Sequence, residues 1–144
     1  MTAAASTSDH ADVDSACSRL IIDFADGMDR RDYPRVLQLF AEDAVLDRAG
    51  VVMRGIDEIR GFLEKRPEHV VTRHLCTNIR VRPQGDDEAN GTCYLQFFQS
   101  ANEEGQQLPV KASATAVAEY IVGFVRQHGN WRIREFRIHP VFQG

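Results

Sequence analysis

Cysteine and long apolar runs are both scarce in this sequence of 144 residues. The three cysteines, Cys17, Cys76 and Cys93, are odd in number, widely spaced and set in apolar patterns, which is typical of buried free thiols in a reducing compartment. No apolar stretch approaches the roughly 20 residues that a membrane-spanning helix needs. We therefore predict a cytoplasmic protein that has no membrane partner and folds without disulfide bonds.

Positive charge is also sparse. The formal net charge is −4, and the Lys and Arg residues are scattered, so no basic surface for nucleic acid is indicated. No pair of histidines has the spacing of a metal site, and the cysteines lack a close pair. The sequence lacks a Gly-x-Gly-x-x-Gly motif, a phosphate loop and a Gly-x-Ser-x-Gly motif. We therefore expect no nucleic-acid partner, no metal and no cofactor, and we disfavour nucleotide and acyl-serine chemistry.

The length favours a single domain, large enough to bury a core and to fold unaided. The first 15 residues are small, polar and acidic, without the basic and apolar regions of a signal peptide. We predict a disordered lead-in over residues 1–12 and one domain over residues 13–144.

The first half of the domain shows helical periodicity. Apolar residues recur at intervals of three and four over residues 13–28, which predicts a first helix with Asp29 at the rim of its buried face. Asp32 can cap a second short helix that has Pro34 in its first turn and ends near Phe40. A third helix follows and is stopped by a proline. The third helix is predicted over residues 56–65, and short extended pieces before it over residues 44–47 and 49–54.

The second half is extended throughout. Alternating side chains and turn residues predict four long antiparallel strands, and on the first of them His74 and Asn78 share a face. This order predicts an α+β fold in which three helices pack on the concave side of a curved antiparallel sheet. A strongly bent sheet with helices across its concave side leaves a cone-shaped space, and the open end of that cone is a natural small-molecule pocket. The strands are predicted over residues 70–81, 89–100, 110–126 and 131–142.

His74 and Asp29 are the candidate catalytic residues. An imidazole oriented by a carboxylate is a common general base near neutral pH. Two structural interpretations stay open: His74 can be a buried histidine that bonds a backbone carbonyl, and Asp29 can belong to a solvated helix end. The other histidines lie in the lead-in, at strand ends or in a turn, where we expect them to be solvated. They are His10, His69, His128 and His139.

Several segments of the sequence resemble one known family. They are Phe24-Ala-Asp-Gly-Met-Asp-Arg-Arg-Asp-Tyr, Leu37-Gln-Leu-Phe-Ala-Glu-Asp-Ala-Val-Leu-Asp, Gly55-Ile-Asp-Glu-Ile, Thr72-Arg-His-Leu-Cys-Thr-Asn and Gly129-Asn-Trp-Arg-Ile. Together they resemble the SnoaL-like domains of the nuclear transport factor 2-like superfamily over about residues 13–142. The Asp at the end of helix one and the His of the Thr-Arg-His segment resemble the scytalone dehydratase-like branch.

The resemblance implies a cone-shaped fold, nuclear transport factor 2-like or cystatin-like, with an Asp29–His74 dyad that catalyses elimination. His74 would take a proton from carbon while hydroxide or halide leaves, and Asp29 would orient the imidazole. Bile acid 7α-dehydratases and hexachlorocyclohexane dehydrochlorinase share this use of an Asp–His dyad for elimination. The sequence departs at Phe24, where several relatives have Tyr or Lys, and at Met28, where scytalone dehydratase has Tyr. Arg48 replaces the catalytic Asp of the ketosteroid isomerase branch, which disfavours that chemistry.

Three classes of function stay open. The first is a lyase acting on a small apolar or aromatic carbonyl compound, the second a non-catalytic ligand-binding or polyketide-cyclase/isomerase-type domain, and the third the small subunit of an aromatic-ring dioxygenase. The resemblance also implies a homodimer that pairs through the outer face of the sheet, and apolar residues on both faces of the predicted strands 89–100 and 110–126 favour the same prediction. The residues predicted to bind the ligand are Arg48, Asn78, Phe24, Met28, Tyr120 and Arg137, with Arg134 as the alternative to Arg137.

Overall fold

Three helices and six strands make up the part of the chain that the computed structural model describes, residues 7–112 and 114–144. The elements follow the predicted order, in which helices and short strands precede four long strands. They are α1 (Thr7–Arg30), α2 (Tyr33–Gln38), β1 (Phe40–Arg48), β2 (Val51–Arg54), α3 (Gly55–Glu64), β3 (Val70–Pro83), β4 (Glu88–Ala101), β5 (Ala114–Gln127) and β6 (Asn130–Gln143).

Helix α1 begins earlier than the apolar pattern predicted. Residues 7–12 of the expected lead-in are helical, and no glycine or proline interrupts the helix before Val13. Residues 1–6 of that lead-in lie outside the described residues. Within residues 7–112 and 114–144, no helix is both long and apolar enough to cross a membrane.

Helix α2 is capped as predicted. The Asp32 carboxylate accepts the backbone N–H of Arg35 at 3.3 Å, which satisfies one of the donors left free at a helix start. Pro34 lies in the first turn, where its missing N–H costs nothing.

The six strands form one open, mixed sheet in the order β2-β1-β6-β5-β4-β3. Strands β3 to β6 form the predicted antiparallel meander. Strand β1 pairs with β6 in parallel, so the sheet is mixed rather than purely antiparallel as expected. Because parallel neighbours need a long crossover, only the long chain between β1 and β6 makes this pairing possible.

Helix α1 packs across one face of the curved sheet, which we call the inner face. It contacts β3, β4 and β6, whereas α3 packs against β1 and β2. At the centre of the core, Phe24 of α1 packs against Phe136 and Tyr120, with ring centroids 4.5 and 6.3 Å apart. The helices and the sheet therefore share one core, which confirms the predicted α+β fold.

A bulge in β3 changes which of its residues face inward. The register against β4 shifts between Thr77 and Arg80, and Asn78 adopts a φ of 54°. Since one extra residue reverses the alternation beyond it, Ile79 packs against the core and Asn78 is exposed. The prediction that His74 and Asn78 share a face is therefore wrong.

A second bulge lies in β6. The register against β5 shifts so that Ile133 pairs with Phe124 and Glu135 with Gly123, which leaves Arg134 as the extra residue. Ile133 and Phe136 are consequently both fully buried, although strict alternation placed them on opposite faces.

Strand β5 begins later than predicted. Residues 110–112 lie outside any strand, and in the register of β4 and β5 residues 110 and 111 lie beyond the end of β4 at Ala101. Residue 113 of the predicted strand lies outside the described residues.

Candidate functional site

Asp29 and His74 meet on the inner face, where the end of α1 crosses β3. Nδ1 of His74 lies 2.5 Å from Oδ1 of Asp29, and the backbone N–H of His74 donates to Oδ2 at 2.9 Å. The Thr72 hydroxyl donates to Oδ1 at 2.8 Å. The two side chains are only 9% and 10% exposed. The predicted contact is therefore present, and Asp29 is not part of a solvated helix end.

The environment of Asp29 keeps its carboxylate ionised. Burial raises its pKa, but the hydrogen bonds from the His74 ring and backbone and from Thr72 outweigh burial, so the pKa lies below its ordinary value. An ionised carboxylate can only accept hydrogen bonds, so Nδ1 of His74 is the nitrogen that carries the proton in the neutral ring. The lone pair is then on Nε2, at the far side of the ring.

Nε2 of His74 is accessible. Within the described ranges this atom has no hydrogen-bond partner. In the same ranges, every side-chain nitrogen or oxygen that is sealed from solvent does have a partner. Nε2 is therefore not sealed. The arrangement leaves the lone pair of Nε2 without a partner among the described residues, while the opposite nitrogen is held by Asp29.

Two arginines fix the end of α1 against the start of β3. Arg31, with a φ of 58°, donates from Nη2 to the carbonyls of Pro67 and Val70 at 2.6 Å each. Arg66 donates to the carbonyl of Met28 at 2.9 Å and to the Tyr33 hydroxyl at 3.0 Å. These contacts hold Asp29 beside His74. These contacts could not be predicted from the sequence, since nothing in the local pattern distinguishes Arg31 from the solvated Arg30.

The interior around His74 is mainly aromatic and apolar. Phe97 is the direct β4 partner of His74, and the two ring centroids are 4.8 Å apart. Phe24 and Met28 of α1 are nearly fully buried, as is Tyr120 of β5. These predicted ligand-binding residues thus lie in the shared core. Neither Phe24 nor Met28 offers an acidic or basic group there.

Arg48 lies at the edge of the interior. It continues the inner-face alternation of Ala44 and Leu46 at the end of β1, and it is exposed. Its guanidinium stacks over the Phe62 ring of α3, 5.5 Å from the centroid. Its predicted role in binding the ligand stays a prediction.

The other polar candidates lie away from this interior. Asn78 is exposed at the β3 bulge. Arg137 lies between the inner-facing Phe136 and Ile138, so its side chain is on the outer face, where it pairs with Glu135. Arg134 pairs with Glu88 at 3.5 Å. A single inward and outward alternation extended along β6 could not predict the faces of Arg134 and Arg137, because the bulge at Arg134 shifts the alternation by one residue.

The cysteines near the site are free thiols. Cys76 and Cys93 lie on the inner faces of β3 and β4, and both are free, as is Cys17. A hydrogen bond with Cys76, together with burial, raises the pKa of the Cys93 thiol. Among the residues that the structure describes, no group of three or more His, Cys, Asp or Glu side chains could hold a metal ion.

A wide groove lies elsewhere on the surface. It measures about 1510 Å³ and runs between α2, α3 and the turn that joins β5 to β6. Its lining includes Arg60, His128 and Arg132 but neither Asp29 nor His74. The groove is open and charged, so the enclosed pair remains the better candidate for chemistry.

Comparison with known proteins identifies the same fold. The SnoaL-like domain family matches residues 9–137. A putative scytalone dehydratase from Novosphingobium aromaticivorans superposes with a TM-score of 0.84 at 18% identity, covering 96% of this chain and 91% of that chain. A hexachlorocyclohexane dehydrochlorinase from Novosphingobium barchaimii gives 0.82 at 20% identity, with 96% and 93% covered. A protein of unknown function with a cystatin-like fold from Nostoc punctiforme gives 0.66 at 21% identity, with 88% and 89% covered. No curated protein matches.

Proposed function

Because the chain belongs to the SnoaL-like domain family of the nuclear transport factor 2-like superfamily, we propose that it is a cofactor-independent lyase that uses Asp29 and His74 as a catalytic dyad. The observation that carries this proposal is the hydrogen bond of 2.5 Å between the two side chains in a nearly closed interior. A fold of this kind hosts many chemistries, so the argument depends on these two side chains.

The reaction is an elimination. Nε2 of His74 takes a proton from carbon, the electrons of that C–H bond form a new C=C bond, and the leaving group departs from the neighbouring carbon. A halide leaves as the anion and the imidazolium of His74 then releases its proton to solvent, whereas a hydroxide leaves as water with the proton that His74 has removed from carbon. Asp29 keeps the imidazole in the required tautomer and stabilises the imidazolium without taking the proton itself.

The substrate class follows from the interior. Phe24, Phe97 and Met28 offer apolar contacts, which suit a small apolar or aromatic molecule. A carbonyl beside the reacting carbon would acidify the C–H bond enough for a histidine base. Two structural relatives are named as a putative dehydratase and a dehydrochlorinase, and both names describe eliminations.

A second candidate is a ligand-binding domain without catalysis. The specific observation in its favour is that the buried Phe24 and Met28 supply no proton donor for a leaving group. The polyketide-cyclase-type and dioxygenase small-subunit alternatives rest on the family resemblance alone.

Turnover of a panel of hydroxy and halo carbonyl compounds tests the lyase proposal. His74→Ala should lower the rate on any active substrate by about 10²–10⁴, the usual contribution of a general base. Asp29→Asn should lose much of the same factor, and the double variant should lose little more, because both residues serve one proton transfer. His69→Ala, at an exposed histidine five residues earlier, is the matched control and should keep wild-type rates.

Two outcomes would contradict the proposal. If His74→Ala and Asp29→Asn retain wild-type turnover, the base lies elsewhere. If the wild type binds members of the panel and transforms none of them, the binding domain replaces the lyase.

We also propose a homodimer formed through the outer face of the sheet. Leu75, Tyr94 and Ile121 lie on the outer faces of β3, β4 and β5, and they are 45%, 54% and 37% exposed. Large apolar side chains grouped on one face are typical of a covered interface.

The cytoplasmic location expected from the cysteines stays a prediction.

A further inference from the structure

Tyr120 carries a buried hydroxyl that the proposed reaction does not use. Its side chain is 1% exposed, and its ring packs against Phe136 and Phe24 with centroids 4.5 and 6.3 Å away. Over residues 7–112 and 114–144 this hydroxyl has no hydrogen-bond partner. In the same residues, every side-chain oxygen that is sealed from solvent does have a partner. The oxygen is therefore not sealed, and in so buried a residue it can open only onto internal space.

A phenylalanine at this position would pack against the same rings without the hydroxyl. Burying a hydroxyl that has no partner is unfavourable, and buried tyrosines normally place the hydroxyl against an acceptor. The part of the chain that the structure describes does not supply that acceptor. A bound molecule can supply it.

The strand register places Tyr120 in the same interior as the catalytic pair. Along one row of the inner face, Tyr120 pairs with Cys93 on one side and with Ile138 on the other, and Ile138 pairs with Arg48. His74 lies two strands away and four residues along. The two Cα positions are then about 16 Å apart on a flat sheet, and the two side chains can approach each other across the space between.

We propose that the Tyr120 hydroxyl donates a hydrogen bond to an oxygen of the small molecule that occupies this interior, at the end opposite to His74. The inference deepens the proposed function and relies on the same site. The ligand class is then a small apolar or aromatic compound with a carbonyl or hydroxyl oxygen. Burial raises the pKa of the Tyr120 hydroxyl well above its ordinary value, so the group remains a neutral donor throughout the physiological range.

A matched pair of probes isolates this hydrogen bond. α-Tetralone and tetralin have the same fused rings, but only α-tetralone has a carbonyl oxygen. Their affinities for the full chain can be measured by isothermal titration calorimetry without any turnover. The wild type should bind α-tetralone more tightly than tetralin, and Tyr120→Phe should weaken α-tetralone binding by about tenfold while tetralin binding stays within about twofold.

Controls separate a ligand contact from a structural role. Ser15→Ala removes a hydroxyl from an exposed side chain of α1 and should change neither affinity. If Tyr120→Phe weakens both probes equally, or neither, the proposal is overturned. A wild type that does not prefer α-tetralone overturns it as well, and that result does not depend on the variant folding.

A second measurement distinguishes this proposal from the lyase. His74→Ala should keep the preference for α-tetralone, because Tyr120 acts independently of the base. If that preference persists and the wild type transforms no panel compound, the lyase proposal is rejected and the proposal that Tyr120 donates a hydrogen bond to the ligand is kept. If turnover is found but Tyr120→Phe leaves both affinities unchanged, the lyase stands and the role of Tyr120 fails.

Discussion

Asp29 holds His74 at two points, because one carboxylate oxygen lies 2.5 Å from Nδ1 of the ring and the other accepts the backbone N–H of the same residue at 2.9 Å. The backbone bond ties the carboxylate to β3, and the ring bond sets the orientation of the imidazole. A shift of α1 along β3 would therefore disturb both contacts at once.

The stability contributed by Asp29 should depend on pH. Its pKa in the folded protein lies below the ordinary value, so its contribution is complete above about pH 4, the unfolded value, and is lost as pH falls through the folded pKa. Asp29→Asn should therefore reduce the free energy of unfolding most near neutral pH and progressively less below pH 4. Urea titrations at a series of pH values measure this difference. A difference that is constant from pH 7 to pH 3 would contradict the assignment.

Gly27→Ala should destabilise the protein. A Cβ at Gly27 would lie 2.6 Å from Cγ2 of the fully buried Val36, so α1 and α2 would have to separate. Overpacking of this kind costs about 1–3 kcal/mol, of which the helix preference of alanine offsets about 1 kcal/mol. Gly61→Ala is the matched control, because a Cβ in that part of α3 meets nothing within 4 Å and alanine favours a helix by about 1 kcal/mol. Thermal unfolding should show opposite signs for the two variants, and equal signs would argue against this close approach.

Arg31→Ala should loosen the site without touching it. The variant loses two hydrogen bonds from a charged donor to the carbonyls of Pro67 and Val70, for a cost of about 1–3 kcal/mol. Arg30→Ala, at a side chain 73% exposed, should cost at most about 0.5 kcal/mol. Hydrogen exchange of the His74 backbone N–H should accelerate only in Arg31→Ala. Equal protection in both variants would show that Arg31 does not position the helix end.

Leu75→Arg should convert a dimer into a monomer. A charge introduced at this outer-face position would be buried and unpaired if the proposed interface forms. Ile22→Arg, at an apolar side chain exposed on α1, is the control and should leave the dimer intact. Light scattering at micromolar concentration measures the mass. A monomeric wild type would refute the interface directly.

Local sequence signals were sufficient for most elements. The helical period of α1, the cap at Asp32 and the alternation of the four long strands each depend on residues close together in the chain, so they could be predicted with errors of up to six residues at the ends. The contact of Asp29 with His74 was also predicted, as an implication of the resemblance to a family. Its catalytic role stays a proposal.

What the sequence by itself determined is therefore the order and type of the elements, because period and capping are local properties. Tertiary structure alone decided which side chains share the interior. The bulges at Asn78 and Arg134 reverse the alternation, turning Asn78 outward and leaving Arg137 on the outer face. The parallel pairing of β1 with β6 brings Arg48 into the row that contains Tyr120. Strand register depends on partners far apart in the chain. A bulge therefore cannot be recognised from the apolar and polar pattern of one strand alone.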